Sequence, residues 1–391
     1  MLASIISVIE KNIYIILFYL ALLIIVIIFR KRFDVESKFI LLYRTKFGLK
    51  LMQRLSKKYE ELIKIIGYSG IGIGFLGMFF MIVVLIQNLI SMIIKPTTSS
   101  SLTLVLPGAT IPGIGRLNFT FWLITIFIVA LVHETAHGIV SLVHKVKVKN
   151  SGIVLFGPII GAFVEPEERE ISKSKDIVQY SIFAAGPFAN IILSIIIMFI
   201  ISIFLNPLYM NITKEAGISF TSVQKGFPAE KAGLKEGIII NKINNQTIAN
   251  YNDFLEAMIN VKPNQTLELS SENKTFVLVT TENPEKAGKG YIGITGVKEE
   301  RVPKGSRFLF SITNWFLNLF NFIMVISSGI GLFNLLPLGI VDGGRLLKTA
   351  LESIYKDRKK AAEIWKRVSW FVLLLLILNL LVPIFRPILK I

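Results

Sequence analysis

Six runs of apolar residues, near positions 12 to 29, 69 to 94, 119 to 143, 177 to 205, 316 to 337 and 368 to 385, constrain this chain more than any other feature. Each is close to the length needed to cross a hydrocarbon core of roughly 30 Å. In lipid every backbone polar group must be bonded within the chain, so each run predicts a spanning helix. The expected fold class is therefore a polytopic α-helical membrane protein with about six transmembrane helices. The first run is followed by Arg30, Lys31 and Arg32 rather than by small residues, so it reads as a span and not as a cleaved leader.

Charge orients these spans. The net charge is +17, which on a soluble chain would raise the question of nucleic acid. Here the cations sit beside the apolar runs instead of on a basic face interleaved with aromatics, so no nucleic-acid partner is expected and the bilayer is the surface they meet. Arg30 to Ile66 carries eleven Lys or Arg, 145 to 176 six and 353 to 367 six, whereas 95 to 118 carries only Lys95 and Arg116. By the positive-inside rule the three basic segments face the cytoplasm of a multi-pass plasma-membrane protein and both termini face outward. The five Asn-x-Thr sequons, at Asn118, Asn211, Asn245, Asn264 and Asn273, all fall in segments placed outside.

Between the fourth and fifth runs, residues 214 to 298 change character, with short β-like runs and Gly, Asn and Pro turns that predict an inserted soluble α+β domain. Val223, Gly226, Pro228, Ala229, Ala232, Gly233, Leu234, Gly237, Ile240, Ile243 and Asn244 resemble a PDZ domain of the kind attached to bacterial proteases, with departures at Ile238 and Asn245. The resemblance implies capture of a peptide C-terminus or an ectodomain by strand addition; a lid or spacer is the alternative. The expected divisions are 1–118 (two spans and a basic loop), 119–213, 214–298 (PDZ-like) and 299–391.

The chemistry is concentrated in His133-Glu134-Thr135-Ala136-His137, inside the third run. Two His at i and i+4 project from one helix face, spaced so that both imidazoles can reach one Zn²⁺ at roughly 2.1 Å, with the intervening Glu beside the open position. Ionisable groups within a span are costly and mark function by default. The fourteen residues from Phe119 to His133 amount to about 21 Å of helix, which puts the motif toward the cytoplasmic side. The chain has no cysteine and only three histidines, so a third protein ligand is expected from a carboxylate. His144 reads as an interfacial residue beside Lys145. Asp342 is the better candidate, because Pro337 and the glycines of Asn334-Leu-Leu-Pro-Leu-Gly-Ile-Val-Asp342-Gly-Gly-Arg345 break a helix at membrane depth and let the chain turn a carboxylate inward.

HExxH in one span and N-x-x-P-x-x-x-x-D-G at the end of another resemble the site-2 protease family of intramembrane zinc metalloproteases, over roughly residues 119 to 367. The resemblance implies one Zn²⁺ per chain on His133, His137 and Asp342, Glu134 as the base that activates water, and transmembrane protein substrates cut by regulated intramembrane proteolysis. It also implies a substrate or oxyanion role for Asn190, within Ala185-Gly-Pro-Phe-Ala-Asn190, and contributes Asn334 as a candidate of the same kind; for Asn190 helix packing stays open. Residues 153 to 165 are apolar but broken by Gly and Pro, and resemble that family's re-entrant β-hairpin, whose edge at Gly161, Ala162, Phe163 and Val164 would hold an unwound substrate; an interfacial loop is the other reading. Two non-proteolytic readings of the whole chain also remain, a membrane metal transporter and a PDZ-bearing scaffold. The GxGxxG string at Gly72 to Gly77 follows no strand and reads as small residues for helix packing.

Overall fold

The computed structural model describes residues 13–389 apart from 38–39, 95–101, 112, 158, 273 and 285; Lys95, Pro158 and the sequon at Asn273 lie outside the described residues. Among these residues five helices are long and apolar enough to cross a membrane: Glu60–Ile94, Phe119–Val143, Asp176–Ile212, Arg307–Asn334 and Arg358–Pro383. The first expected span is the helix Ile13–Ile28, whose 16 described residues fall short of that length. The backbone separates into two compact units, residues 202–317 and the remainder.

The larger unit begins with α1 (Ile13–Ile28), β1 (Asp34–Ser37), β2 (Ile40–Thr45) and α2 (Leu49–Lys58), followed by α3 (Glu60–Ile94). The basic segment of residues 30 to 66, expected as a loop between two spans, carries secondary structure of its own: two strands, a short helix and the first turns of α3. Charge does not prevent strand formation here because it is matched by carboxylates. Arg44 projects from β2 to Asp34 Oδ2 (2.8 Å), Glu36 Oε1 (3.1 Å) and Glu165 Oε2 (3.2 Å), and Leu42, two residues earlier and so on the same face, is buried.

Next come α4 (Phe119–Val143), β3 (Val148–Phe156), β4 (Ile159–Pro166), α5 (Glu168–Lys173) and α6 (Asp176–Ile200). Asn118 caps α4, its side chain accepting from Phe121 N at 2.8 Å. β3 and β4 form an antiparallel hairpin with Ile153 opposite Ala162 and Ser151 opposite Val164. β2 adds to β3 with Tyr43 opposite Ile153. The sheet order is β1-β2-β3-β4, so β4 ends it with no strand on its outer side among the described residues.

The chain returns through α7 (Arg307–Asn334), α8 (Asp342–Tyr355) and α9 (Arg358–Leu389). α6 packs against α3, α4 and α8. Small residues make the close approach possible: a Cβ at Gly70 would press on Phe188, and one at Gly77 would overlap Leu335. Gly70, Gly74 and Gly77 of α3 thus form a packing stripe, while Gly72 of the same string meets no neighbour among the described residues. Asn88 Nδ2 donates to Asn379 Oδ1 at 2.6 Å, tying α3 to α9.

The unit of residues 202–317 has its own apolar core, which includes Phe220, Ile240, Leu267 and Phe276. It contains a long antiparallel ladder of Thr213–Val223 with Ile294–Pro303 and a four-stranded sheet ordered Thr275–Val279, Thr266–Ser270, Lys242–Ile243, Gln246–Thr247. The helix Tyr251–Ile259 opens on a capping box of Asn250 and Asp253.

Candidate metal centre

The two faces of α4 that carry His133-Glu134-x-x-His137 look at different neighbours, and glycines admit both. On one face, Gly186 of α6 lies against the imidazoles; a Cβ there would overlap the Nε2 atoms of His133 and His137. On the other, Gly138 lets β4 and α2 approach, since its Cβ would press on Val164 Cγ1 and Met52 Sδ. Glu134 therefore lies beside β4, and its Oε2 accepts the Val164 N–H at 3.1 Å. A strand whose inner edge pairs with β3 spends an outward N–H on this carboxylate.

Asp342 arrives from elsewhere in the chain. α7 stops at Asn334, the segment Leu335 to Val341 folds back on itself, and Asp342 is the first residue of α8. Gly343 and Gly344 permit the fold-back, because a Cβ at either would overlap the carbonyls of Leu335 or Leu338. Trp365 Nε1 donates to the Gly344 carbonyl (2.8 Å) and Ser369 Oγ to that of Pro337 (2.9 Å), so α9 holds the turn. A carboxylate in a first helical turn also gains from the helix dipole.

These constraints bring three atoms together. His133 Nε2 lies 3.0 Å from Asp342 Oδ2, His137 Nε2 lies 3.3 Å from the same oxygen, and the two Nε2 atoms are 3.2 Å apart. Bonds of roughly 2.0–2.1 Å to a tetrahedral Zn²⁺ would place ligand atoms about 3.3 Å from one another, so the triangle fits such an ion. The side chains of His133, His137 and Asp342 are 10, 12 and 14% exposed. Three polar groups so enclosed and so close need a cation, or shared protons, to be tolerated. His137 Nδ1 donates to the Ile182 carbonyl at 2.7 Å, which leaves its Nε2 lone pair for a metal.

A cavity of about 330 Å³ opens on this triangle, lined by Glu134, Val164, Glu168, Phe183, Asn334 and Arg345 among others. Of the expected substrate residues, Asn334 and Val164 line it, whereas Gly161, Ala162 and Phe163 lie farther along β4 and do not. Asn190 does not line it either: it is fully buried, with its amide 3.1 Å from His133 Nδ1. His144 caps the end of α4 against the Tyr68 ring, away from the triangle. Arg345, a cavity-wall residue with no expected role, donates to both oxygens of Glu168 (2.7 and 2.6 Å) and covers the Phe183 ring at 4.2 Å. Its one sequence signal was its position three residues after Asp342. Gly186 was visible only as part of a Gly-Pro pair.

The profile of peptidase family M50 matches residues 121–376. An uncharacterised protein of Methanocaldococcus jannaschii is 31% identical over 327 residues, covering 81% of this chain and 78% of its own. The regulator of sigma-W protease RasP of Bacillus subtilis is 24% identical over 264 residues, 55% of this chain and 61% of its own. A Streptococcus pyogenes protein provisionally named a zinc metalloprotease is 25% identical over 213 residues, 44% of this chain and 50% of its own. The chain thus spans only half to three-fifths of these two bacterial relatives.

Proposed function

The chain belongs to peptidase family M50, and from that premise we propose that it is an intramembrane zinc metalloendopeptidase that cuts membrane-protein substrates within or near their transmembrane segments. The observation that carries the proposal is the Nε2, Nε2, Oδ2 triangle with Glu134 beside it in the same cavity, both His and the Glu being on a helix apolar enough to cross a bilayer. A triad of this kind with no acid between the His would fit storage or transport equally; the Glu favours hydrolysis.

In this reading His133, His137 and Asp342 hold one Zn²⁺, which supplies Lewis-acid polarisation of the scissile carbonyl and makes a water acidic enough to deprotonate near neutrality. Glu134 takes the proton of the attacking water on a carboxylate oxygen and passes it to the departing amine. The Val164 N–H fixes the carboxylate's orientation for both transfers. Asn334 lines the cavity and is the side-chain amide best placed to donate to the developing oxyanion. Because peptide bonds in a helix are hidden, the substrate must unwind. No strand pairs with the outer edge of β4 among the described residues, and beyond Val164, whose N–H Glu134 takes, that edge supports strand addition, in keeping with a re-entrant hairpin. We assign residues 214–298 to a PDZ-like domain for substrate ectodomains or peptide ends, and charge asymmetry puts it outside the cell with the active site toward the cytoplasm.

The test is paired, on detergent-purified protein: zinc content, and cleavage of a model transmembrane substrate. Wild type should hold about one zinc per chain. Glu134→Gln should keep the zinc and lose cleavage, while Asp342→Ala should lose both. Cleavage that survives Glu134→Gln would rule out the mechanism and favour the transport or scaffold readings.

A further inference from the structure

Three positions of α6, spaced by four residues and so on one face, meet the two imidazoles of α4. The Ile182 carbonyl takes His137 Nδ1, Gly186 leaves room for both rings, and the Asn190 amide meets His133 Nδ1. The two helices run in opposite senses here, since the earlier position on α6 meets the later His. Asn190 is held in place from behind as well. Ser327 Oγ of α7 donates to its carbonyl at 2.8 Å, and a Cβ on Gly331 would come within 3.1 Å of its Cβ.

The contact between Asn190 Nδ2 and His133 Nδ1, at 3.1 Å, needs one proton, and two arrangements supply it. If the amide donates, His133 carries its own proton on Nε2, which faces Asp342 and His137. A protonated Nε2 has no lone pair for a cation. The oxygen and nitrogen ends of an amide are nearly isosteric, so turning the group over puts Oδ1 on Nδ1 instead. Oδ1 would then accept Nδ1–H and leave the Nε2 lone pair free. In the first arrangement Oδ1 is buried without a hydrogen-bond partner; the second gives it one. The pocket can match only one end of the amide, and ligation by Nε2 decides which.

We infer that Asn190 is a positioning residue for the metal: it accepts Nδ1–H of His133, selecting the ring tautomer and plane that ligation needs, and does not donate to the oxyanion. The inference rests on the zinc reading above. An oxyanion donor must come within roughly 2.7–3.1 Å of the reacting oxygen inside the cavity. Asn334 and Arg345 border that space and Asn190 does not.

The experiment uses full-length protein in detergent as wild type, Asn190→Leu and Asn190→Asp. Zinc affinity is measured by competition with a chromophoric chelator, ligand geometry by the visible absorption of the Co²⁺-loaded protein, and the fold by melting of the metal-free form. Asn190→Leu should weaken zinc by about 10- to 100-fold and alter the Co²⁺ spectrum. Asn190→Asp keeps an acceptor, so it should hold zinc at least as tightly as wild type and preserve that spectrum. The inference is overturned by wild-type zinc affinity in Asn190→Leu alongside lost cleavage, the pattern of an oxyanion or substrate donor. Should Asn190→Leu fail to fold, Asn190→Asp decides alone, and a tenfold or greater loss of affinity there overturns it. A wild type that binds no zinc would defeat the metalloprotease reading itself, a distinguishable failure.

Discussion

A single methyl group is the sharpest probe at the residue scale. Gly186 has no side chain because two imidazole nitrogens occupy the space where one would be, so Gly186→Ala should displace the ring atoms proposed as ligands. Zinc content should fall below about a tenth of wild type, with far-UV circular dichroism unchanged, because Ala favours a helix over Gly by about 1 kcal/mol. Retention of full zinc would mean that α6 shifts freely away from α4. Arg345 should behave differently. Its pair with Glu168 is substantially exposed, with side chains 40 and 67% accessible, and such pairs contribute roughly 0–1 kcal/mol. Arg345→Gln should therefore leave zinc affinity and the melting midpoint nearly unchanged, and any loss of cleavage would come from its place on the cavity wall.

At the scale of elements, β4 and β3 have opposite tolerances. The Val164 N–H serves Glu134 and not the ladder, so Val164→Pro removes one bond to the proposed base. Edge strands accommodate proline, so folding and the proposed zinc binding should survive while turnover drops by about tenfold or more. Leu155→Pro places the same ring in a central strand at a buried position, paired on both sides. That variant should fail to accumulate as folded protein, as size-exclusion chromatography would report. A hairpin was expected over residues 153 to 165 only by family resemblance, and its strands extend to Val148 and Pro166; its partners were not legible. β1 and β2 read as a basic segment because positive charge was counted, whereas Arg44 is matched by Asp34, Glu36 and Glu165, one of them more than a hundred residues away in sequence.

For the molecule as a whole, distant segments are joined by polar contacts in apolar surroundings. Asn88 and Asn379 link α3 to α9, with Asn379 Nδ2 also donating to the carbonyls of Leu85 (3.1 Å) and Leu375 (2.8 Å). Interhelical hydrogen bonds in membranes contribute about 0.6–1.7 kcal/mol, so Asn379→Leu should lower stability by an amount in that range, measured by denaturant unfolding in micelles. A metal held by His133, His137 and Asp342 would be a second link, between α4 and α8. A ligand that binds only the folded state stabilises it by about 2.7 kcal/mol at a hundredfold excess over Kd. Chelation should thus lower the melting temperature of wild type and leave Asp342→Ala unmoved; equal melting with and without chelator in wild type would contradict a metal at this site.

Hydropathy, the i, i+4 spacing and helix-breaking Pro and Gly are local properties, and they sufficed for the long spans, for the two His with their Glu, and for the helix break before Asp342. Whether that carboxylate reaches the imidazoles depends on the turn from Leu335 to Val341, on the bare faces of Gly343 and Gly344, and on α9 behind them. Likewise Asn190 faces either the substrate or the back of an imidazole according to how α6 packs on α4. Side-chain type names the chemistry a residue can do; its partner is set by long-range packing, which leaves no period in the sequence.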